Sequence, residues 1–342
     1  EIPESIDGIV VSGIGNSVFA GNSNLTKVTI PKTVTSLEYE AFASCTNLTN
    51  VEFEEGSKLQ AIGCGVFRAC AKLETFKCPD DLQTIDSFAF NSCENLKSIQ
   101  FNDGLKTIGK EVFAHSGLVS VTIPDSITQL GSTDFWDCKA LEKAIIGKGI
   151  ETIEFWTFAG CLELKQVELS NIKVIAPEAF VGCGLESIDL PDTLQAIETG
   201  AFQGSALKSI DIPDSVESIS SYAFEGCKAL TKVHIGNKLA YISEEAFANC
   251  GLESISIGSG TKEIGRLAFS DNQKLKEVSI PKNVVKIQYG SFKNCKQLET
   301  IELPETLESL GWQSFDGTKW YDDQKDGVLY IDKYVYGYKG DM

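Results

Sequence analysis

The sequence is poor in residues on which several classes of protein depend. Its 342 residues include two histidines and one methionine, Met342, and no C-x-x-C motif occurs. The missing motif removes the commonest zinc and redox signatures, so we expect neither a metal nor a cofactor. Because an initiator methionine and a signal peptide are also missing, we expect the numbered chain to be a piece of a longer one.

Cations and long apolar runs are scarce as well. Lysine and arginine total 30 against 48 aspartate and glutamate residues, which gives a formal net charge of −18. Nucleic acid and anionic lipid both favour clustered cations, so we expect no nucleic-acid partner. The uncharged apolar stretches are too short for a bilayer span, so we expect no membrane insertion within this chain.

Phenylalanine reveals an internal repeat that covers most of the chain. Fourteen of the 19 phenylalanines recur every 22 or 23 residues, with one gap of 25, and Ile or Leu stands five residues before each of them. Repeats at such a period are typical of solenoids and related arrays. The series comprises Phe19, Phe42, Phe67, Phe90, Phe113, Phe135, Phe158, Phe180, Phe202, Phe224, Phe247, Phe269, Phe292 and Phe315.

One copy of the repeat predicts the local structure of all the others. Val28-Thr29-Ile30 alternates apolar and polar residues, as a short strand with one buried face does. Pro31 ends this strand because it lacks the N–H that a parallel ladder needs. One copy cannot bury its apolar face alone, so the copies must stack. The sequence therefore predicts a repeat solenoid of the leucine-rich repeat type, with about 14 repeats of 22–23 residues. A parallel β-ladder would form one face, turns and short helical turns the other, and the phenylalanines an internal spine.

The consensus L-x-x-I-x-I-P…I-x-x-x-A-F-x-x-C resembles the BspA-type leucine-rich repeat of bacterial surface proteins over residues 9–318. The resemblance implies a curved right-handed coil on an extracellular or bacterial cell-surface protein. Some relatives of this type act as adhesins for host extracellular glycoproteins, which implies adhesion as one function for this chain.

The two ends depart from the repeat. We predict a solenoid over 1–318, with a degraded first copy at 1–24, followed by an aromatic-rich segment at 319–342. Residues 329–331 and 334–336 predict a small hairpin within that segment. The hairpin would either cap the open end of the core or lead into a further module.

Nine of the 11 cysteines occupy one repeat position, three residues after the phenylalanine. Small residues with a polar atom fill that position elsewhere, which predicts a buried turn in which the side chain meets a backbone group. Structural thiols fit better than a disulfide ladder, because Cβ atoms about 4.8 Å apart exceed the roughly 3.8 Å that a bridge prefers. Cys78 replaces a strand isoleucine and should be buried, whereas Cys64 lies in a variable loop and should be the most reactive thiol. The nine are Cys45, Cys70, Cys93, Cys138, Cys161, Cys183, Cys227, Cys250 and Cys295.

Outward strand positions on consecutive copies bring polar residues into columns. Asp211, His234 and Ser256 follow the order of roles in a hydrolytic triad. No sequence feature supplies an oxyanion hole or a pocket, so we expect no catalytic residue and keep a hydrolase only as a remote alternative. Glu168, Asp189 and Asp211 form a row of carboxylates. That row is a solvated acidic strip, a cation site or a docking strip for a basic partner.

Aromatic residues outside the repeat pattern form the more informative set. Trp136, Phe155 and Trp156 stand at positions that carry Glu, Ser, Gly or Lys in other copies. They would form an exposed patch of the kind that anchors partners, or else extend the core outward. Five further aromatics appear isolated in the sequence: Tyr39, Phe88, Tyr222, Tyr289 and Trp312.

These observations favour a secreted or cell-surface binding protein, monomeric, that recognises an extracellular protein or glycan through an extended solenoid surface. A structural spacer that displays another domain away from the envelope is the alternative. The candidate binding residues are Trp136, Phe155, Trp156, Glu168, Asp189, Asp211 and His234.

Overall fold

The computed structural model describes residues 2–340. The chain divides between Ile172 and Lys173 into two compact units, called here the N-terminal and the C-terminal unit. Both are parallel β-solenoids, with about 13 turns in all and almost no helix. The predicted repeat solenoid is confirmed, with roughly the predicted number of turns. The domain boundary at residue 318 stays a prediction.

Strands of three or four residues begin the repeats and form a long-strand ladder in each unit, continuous in the C-terminal unit and divided into three parallel sheets in the N-terminal unit. These are the segments predicted from Val28-Thr29-Ile30, and in the repeats that have the proline they end before it, because proline cannot donate to the ladder. In the N-terminal unit they are Lys27–Ile30, Asn50–Phe53, Thr75–Lys77, Ser98–Gln100, Ser120–Thr122, Lys143–Ile145 and Gln166–Glu168. In the C-terminal unit they are Ser209–Ile212, Lys232–Ile235, Ser254–Ser256, Glu277–Ser279 and Thr300–Glu302.

Strands of two residues form a second, short-strand ladder, which contains the Ile or Leu five residues before each core phenylalanine except Phe135, whose Leu130 lies outside these strands. In the N-terminal unit they are Gly13–Ile14, Ser36–Leu37, Ala61–Ile62, Thr84–Ile85, Thr107–Ile108 and Thr152–Ile153. In the C-terminal unit they are Val174–Ile175, Ala196–Ile197, Ser218–Ile219, Tyr241–Ile242, Glu263–Ile264, Lys286–Ile287 and Ser309–Leu310.

The register of both ladders pairs identical repeat positions. Val28 lies beside Val51 and Thr29 beside Glu52, all on parallel strands. Val28 and Val51 are buried, whereas Glu52 is exposed. Because successive side chains of a strand point to opposite faces, this register keeps every apolar position in the core and every variable position outside.

The core phenylalanines stack along each unit. Neighbouring rings are 5.1–5.7 Å apart between centroids in the N-terminal unit. They are 5.0–5.6 Å apart in the C-terminal unit. The planes of adjacent rings differ by at most 20°. Thirteen of these rings, all except that of Phe19, are completely buried, which confirms the predicted spine.

The repeat cysteines keep their thiol groups and tie consecutive turns together. In eight of them the thiol donates to the carbonyl oxygen of the core phenylalanine one repeat earlier, at 3.0–3.2 Å. The Asn272 amide makes the same contact with the Phe247 carbonyl oxygen, at 2.8 Å. The position therefore requires a small side chain with a donor, as the sequence predicts. Burial raises the pKa of the Cys70 and Cys295 thiols to about 12.

Cys64 is the one cysteine that is not fully buried. Partial burial raises the pKa of its thiol, and the carboxylates of Asp86 and Glu40 raise it further. Since the thiolate is the nucleophile, Cys64 is a less reactive thiol than its loop position alone suggests.

We expect iodoacetamide at neutral pH to label at most one cysteine per folded chain, slowly and at Cys64. All 11 cysteines should react after unfolding. Intact-mass spectrometry counts the adducts, and the Cys64→Ser variant should show none in the folded state. Rapid labelling of several cysteines in the folded chain would contradict the assignment of the thiols to the core.

The N-terminal end begins with a hairpin, after which Gly13–Ile14 joins the short-strand ladder and Phe19 the phenylalanine stack. The degraded first copy at 1–24 stays a prediction. Ser5–Ile6 pairs with Ile9–Val10 in an antiparallel hairpin instead of entering the parallel ladder. Asp7 and Gly8, at the turn, have φ values of 51° and 81°. Two successive residues with positive φ are what a two-residue hairpin turn requires.

The C-terminal end contains a short helix and a hairpin within its described residues, and whether the hairpin is a cap or a lead-in stays a prediction. A short helix, Lys319–Asp322, precedes an antiparallel hairpin of Gly327–Ile331 with Tyr334–Lys339. The Tyr336 hydroxyl accepts from the Phe315 N–H at 2.8 Å and donates to Asp316 Oδ1 at 2.7 Å. This helix has four residues, and residues 2–340 contain none long and apolar enough to cross a bilayer.

Candidate functional site

Four rings from three consecutive repeats meet on the turns of the N-terminal unit. They belong to His115, Trp136, Phe155 and Trp156, called here the aromatic cluster. The centroid distances are 4.6 Å for His115–Trp136, 5.6 Å for Trp136–Trp156 and 5.0 Å for Phe155–Trp156. Phe155 is 40% exposed, and both tryptophans are half-buried. The three predicted aromatics thus lie together, and His115 is a member that the sequence analysis missed.

Backbone hydrogen bonds between successive turns position these rings. The His115 N–H donates to the Trp136 carbonyl oxygen at 2.9 Å, and the Thr133 N–H donates to the Phe155 carbonyl oxygen at 2.8 Å. Each turn is therefore held by the next one, so the cluster is ordered before any ligand arrives. Such preorganisation reduces the entropy lost on binding.

Trp156 adopts a backbone conformation that favours glycine, with φ of 56°. The equivalent turn position has positive φ in the other repeats too, mostly with a residue other than glycine, as at Glu40 with φ of 51° and Tyr222 with φ of 62°. The turn of the repeat therefore imposes this conformation, and Trp156 shares it with most of the copies.

Polar groups border the cluster on one side. His115 Nδ1 lies 3.2 Å from Asp137 Oδ2, and Lys139 Nζ lies 3.3 Å from the same oxygen. Flat apolar rings beside charged and hydrogen-bonding groups are the composition expected of a recognition surface, where rings supply contact area and polar groups fix orientation.

A buried carboxyl group lies in the repeat that also contains Trp136. Asp134 is fully buried at the position that holds alanine or valine in most repeats. Its Oδ1 accepts from the Val112 N–H at 3.0 Å, while Oδ2 has no hydrogen-bond partner. Burial raises the pKa of Asp134 well above its ordinary value, although hydrogen bonds from Val112 and Gly131 oppose the shift.

The predicted column on the long-strand ladder is present in the C-terminal unit. Asp211 is the register partner of His234, and His234 is the partner of Ser256. All three residues are exposed. Within residues 2–340 no hydrogen bond joins their side chains, and a triad requires both of its hydrogen bonds to orient the base and the nucleophile. The column has the sequence order of a triad but not its geometry.

The three predicted carboxylates differ in their surroundings. Glu168, in the N-terminal unit, receives Lys143 Nζ at 2.7 Å and the Gln166 amide at 2.9 Å, so its charge is compensated. Asp189 is exposed and lies outside the strands of the long-strand ladder. Asp189 and Asp211 line a shallow depression of about 460 Å³, together with His234. In the described part of the chain no cluster of three or more His, Cys, Asp or Glu side chains is arranged to hold a metal ion.

The parallel ladders, the phenylalanine spine and the cysteine turns define a leucine-rich repeat protein. Residues 12–142, 135–206 and 195–321 match the BspA type leucine rich repeat region, in six copies. The chain therefore belongs to the BspA-type leucine-rich repeat family.

Solved structures of bacterial repeat proteins are similar to this chain. A leucine-rich repeat protein from Bacteroides ovatus is 29% identical, with a TM-score of 0.68, over 86% of this chain and 85% of that one. A leucine-rich repeat protein from Eubacterium ventriosum is 24% identical, with a TM-score of 0.53, over 97% and 85%. A leucine rich cell surface protein from Faecalibacterium prausnitzii is 26% identical, with a TM-score of 0.49, over 92% and 88%. No curated protein matches the chain.

Proposed function

We propose that the chain is a secreted or cell-surface binding protein that attaches to an extracellular protein or glycan through the aromatic cluster. The observation that carries the proposal is the meeting of Trp136, Phe155 and Trp156 within 5.0–5.6 Å on turns fixed by backbone hydrogen bonds. A few residues carry most of the binding energy of a protein interface, and tryptophan is among the residue types enriched there. The repeat family and the resemblance to BspA-type surface proteins support an extracellular location.

The exposed column on the long-strand ladder is a second candidate surface. Asp189, Asp211 and His234 line one depression there, and Glu168 belongs to the same repeat position in the N-terminal unit. An extended partner that runs along a ladder would contact such a column, whereas a compact epitope would fit the aromatic cluster. The structural spacer is the alternative function, and it requires neither surface.

Binding of the full chain to an array of extracellular matrix proteins and glycans tests the proposal. The Trp136→Ala, Phe155→Ala, Trp156→Ala triple variant should lose at least about 10-fold in affinity. Truncation of one hot-spot side chain to alanine typically costs more than about 1 kcal/mol of binding free energy. Phe155→Ala alone, at the exposed edge of the cluster, should weaken binding with little change in thermal unfolding.

A matched control removes exposed apolar groups elsewhere. Val328, Tyr330 and Val335 are 50%, 63% and 68% exposed on the C-terminal hairpin. Their triple alanine variant should bind like wild type. Binding that survives loss of the aromatic cluster but falls on Asp211→Ala and His234→Ala would move the site to the ladder column. No binding to any array member would favour the spacer.

A further inference from the structure

Tyr289 and Trp312 are not the isolated aromatics that the sequence suggests. Their rings are 5.8 Å apart between centroids, in consecutive repeats of the C-terminal unit. Each stands three residues before its core phenylalanine, and the two preceding repeats have Glu244 and Arg266 at that position. The Arg266 guanidinium is hydrogen-bonded to Glu244 and lies 5.7 Å from the Tyr289 ring centroid. The side chains of Glu244, Arg266, Tyr289 and Trp312 thus form a row across four consecutive repeats, and the exposed indole stands at one end of this row.

Trp312 is unusually exposed for an indole, at 71%. Its backbone is nevertheless fixed, because its carbonyl oxygen accepts from the Gly290 N–H at 3.1 Å. The Tyr289 carbonyl oxygen likewise accepts from the Leu267 N–H at 2.9 Å. This row of side chains therefore exposes a large apolar ring to solvent on a rigid backbone. Such a ring can bind a ligand with little loss of conformational entropy.

A cation without an acidic partner lies beside these rings. Lys293 Nζ donates to Gln313 Oε1 at 2.7 Å, and the same oxygen accepts from the Tyr289 hydroxyl at 2.8 Å. Lys293 Nζ lies 5.9 Å from the Tyr289 ring centroid. Within residues 2–340 no carboxylate lies within ion-pair distance of this ammonium group, whereas Glu244 already compensates Arg266. In a chain with a net charge of −18, this is a local positive centre beside an apolar ring.

The exposed Trp312 ring and the nearby Lys293 ammonium group together indicate which class of ligand would bind. The uncompensated ammonium group attracts a carboxylate and repels cations, including those that aromatic rings otherwise bind. An open ring on a turn offers no enclosed apolar pocket, so a wholly apolar ligand would remain largely in water. A sugar ring can place its C–H face on the indole while its hydroxyl groups stay hydrated. A carboxylate at the edge of the sugar would then reach Lys293.

We propose that Trp312, Tyr289 and Lys293 form a binding site for a hexuronic acid residue of an extracellular polysaccharide. The site uses none of the residues of the aromatic cluster, so it stands or falls independently of the function proposed above. Trp312 supplies the stacking face, Tyr289 supports it, and Gln313 holds the phenol and the ammonium group in position.

Calorimetric titration of the full chain with a tetrasaccharide of alternating glucuronic acid and N-acetylglucosamine tests the site. Its carboxyl-reduced analogue, with glucose in place of glucuronic acid, is the neutral probe. Wild type should bind the acidic probe at least about 10-fold more tightly than the neutral one. A charge-assisted hydrogen bond to the carboxylate contributes enough binding free energy for a difference of this size. Trp312→Ala should weaken both probes by a similar factor. Lys293→Met should weaken only the acidic probe, so that the two probes bind alike.

Two variants serve as controls. Lys282→Met removes an exposed lysine of the same unit outside the proposed site and should leave both affinities unchanged. The triple alanine variant of the aromatic cluster should also bind the acidic probe like wild type. Absent binding of the acidic probe by wild type, or binding that ignores both Trp312→Ala and Lys293→Met, would overturn the site. Loss only in the triple variant would place the sugar on the aromatic cluster, which refutes this site and leaves the proposed function standing.

Discussion

Phe202→Ala is expected to lower the free energy of unfolding by about 3–5 kcal/mol, through lost burial and the cavity left behind. Phe202 is completely buried in the C-terminal unit. Its ring lies 5.1 Å from that of Phe180 and 5.2 Å from that of Phe224, with planes within 4° of parallel. A repeat contacts only its neighbours, so neither adjoining turn can collapse into the gap without losing its own ladder hydrogen bonds.

Denaturant unfolding followed by circular dichroism measures this effect. Trp312→Ala is the matched control in the same unit, because that ring is 71% exposed and its removal should change the free energy of unfolding by about 1 kcal/mol or less. An unfolding curve for Phe202→Ala that overlays the wild-type curve would show that the spine does not stabilise the solenoid.

Asp134→Asn is expected to stabilise the chain at pH 7 by about 1–3 kcal/mol, because each pKa unit by which burial raises the carboxyl above its unfolded value costs about 1.4 kcal/mol at a pH above both values, and the amide has no such cost. The amide retains an oxygen for the Val112 N–H and replaces the unpartnered Oδ2 by a donor. It mimics the protonated acid that burial favours, and it carries no charge for the nearby Glu111 and Glu154 to repel.

The pH dependence of this gain has a definite sign. The folded-state pKa of Asp134 is raised, so the folded chain holds the proton more tightly than the unfolded chain. The stability that this proton contributes is complete below the unfolded pKa of about 3.9 and is lost as the pH rises above it. The advantage of Asp134→Asn should therefore be small at pH 4 and grow toward pH 7. Unfolding at several pH values measures it, with the exposed Asp103→Asn as control. A gain independent of pH, or a loss of stability at pH 7, would contradict the assignment of Asp134 as a neutral buried acid.

The repeat could be predicted from the sequence because one bulky residue stands at a fixed position of every copy. A phenylalanine every 22 or 23 residues fixes which strand positions face inward, and the burial of Val28 and exposure of Glu52 follow from it. The cysteine position was equally legible, since only small residues with a polar atom occupy it. Both inferences rest on side-chain size and hydrogen-bonding capacity in a repeated environment.

Features that break the repeat were harder to predict. The antiparallel hairpin before Val11 depends on the turn at Asp7 and Gly8, a two-residue signal that competes with the weak pattern of a first copy. Asp189 stands at the repeat position of the strand column but lies outside the strands. Strand formation depends on hydrogen bonds with the adjacent repeats, which the sequence of one repeat does not specify.

Other features could have been found by comparing repeat positions more closely. Tyr289 and Trp312 stand at the same position of consecutive repeats, which by itself predicts contact between their rings. Asp134 stands directly before a core phenylalanine, where burial is expected from the other copies. His115 stands two residues after its core phenylalanine, at a turn position that has positive φ in other repeats as well, such as Ser92 and Asp137, and comparison with Trp136 on the next repeat would have placed their rings together.

The central claim is that the aromatic cluster, and not the length of the solenoid, is responsible for binding. Cell attachment tests it with chains that differ either in the cluster or in length. Bacteria that display the wild-type chain, the triple alanine variant of the cluster, or a chain without residues 207–229 would be applied to immobilised extracellular matrix. That deletion removes one full repeat of the C-terminal unit and leaves the cluster intact. We expect attachment by wild type and by the shortened chain, and none by the triple variant. Attachment that persists in the triple variant and fails in the shortened chain would contradict the claim.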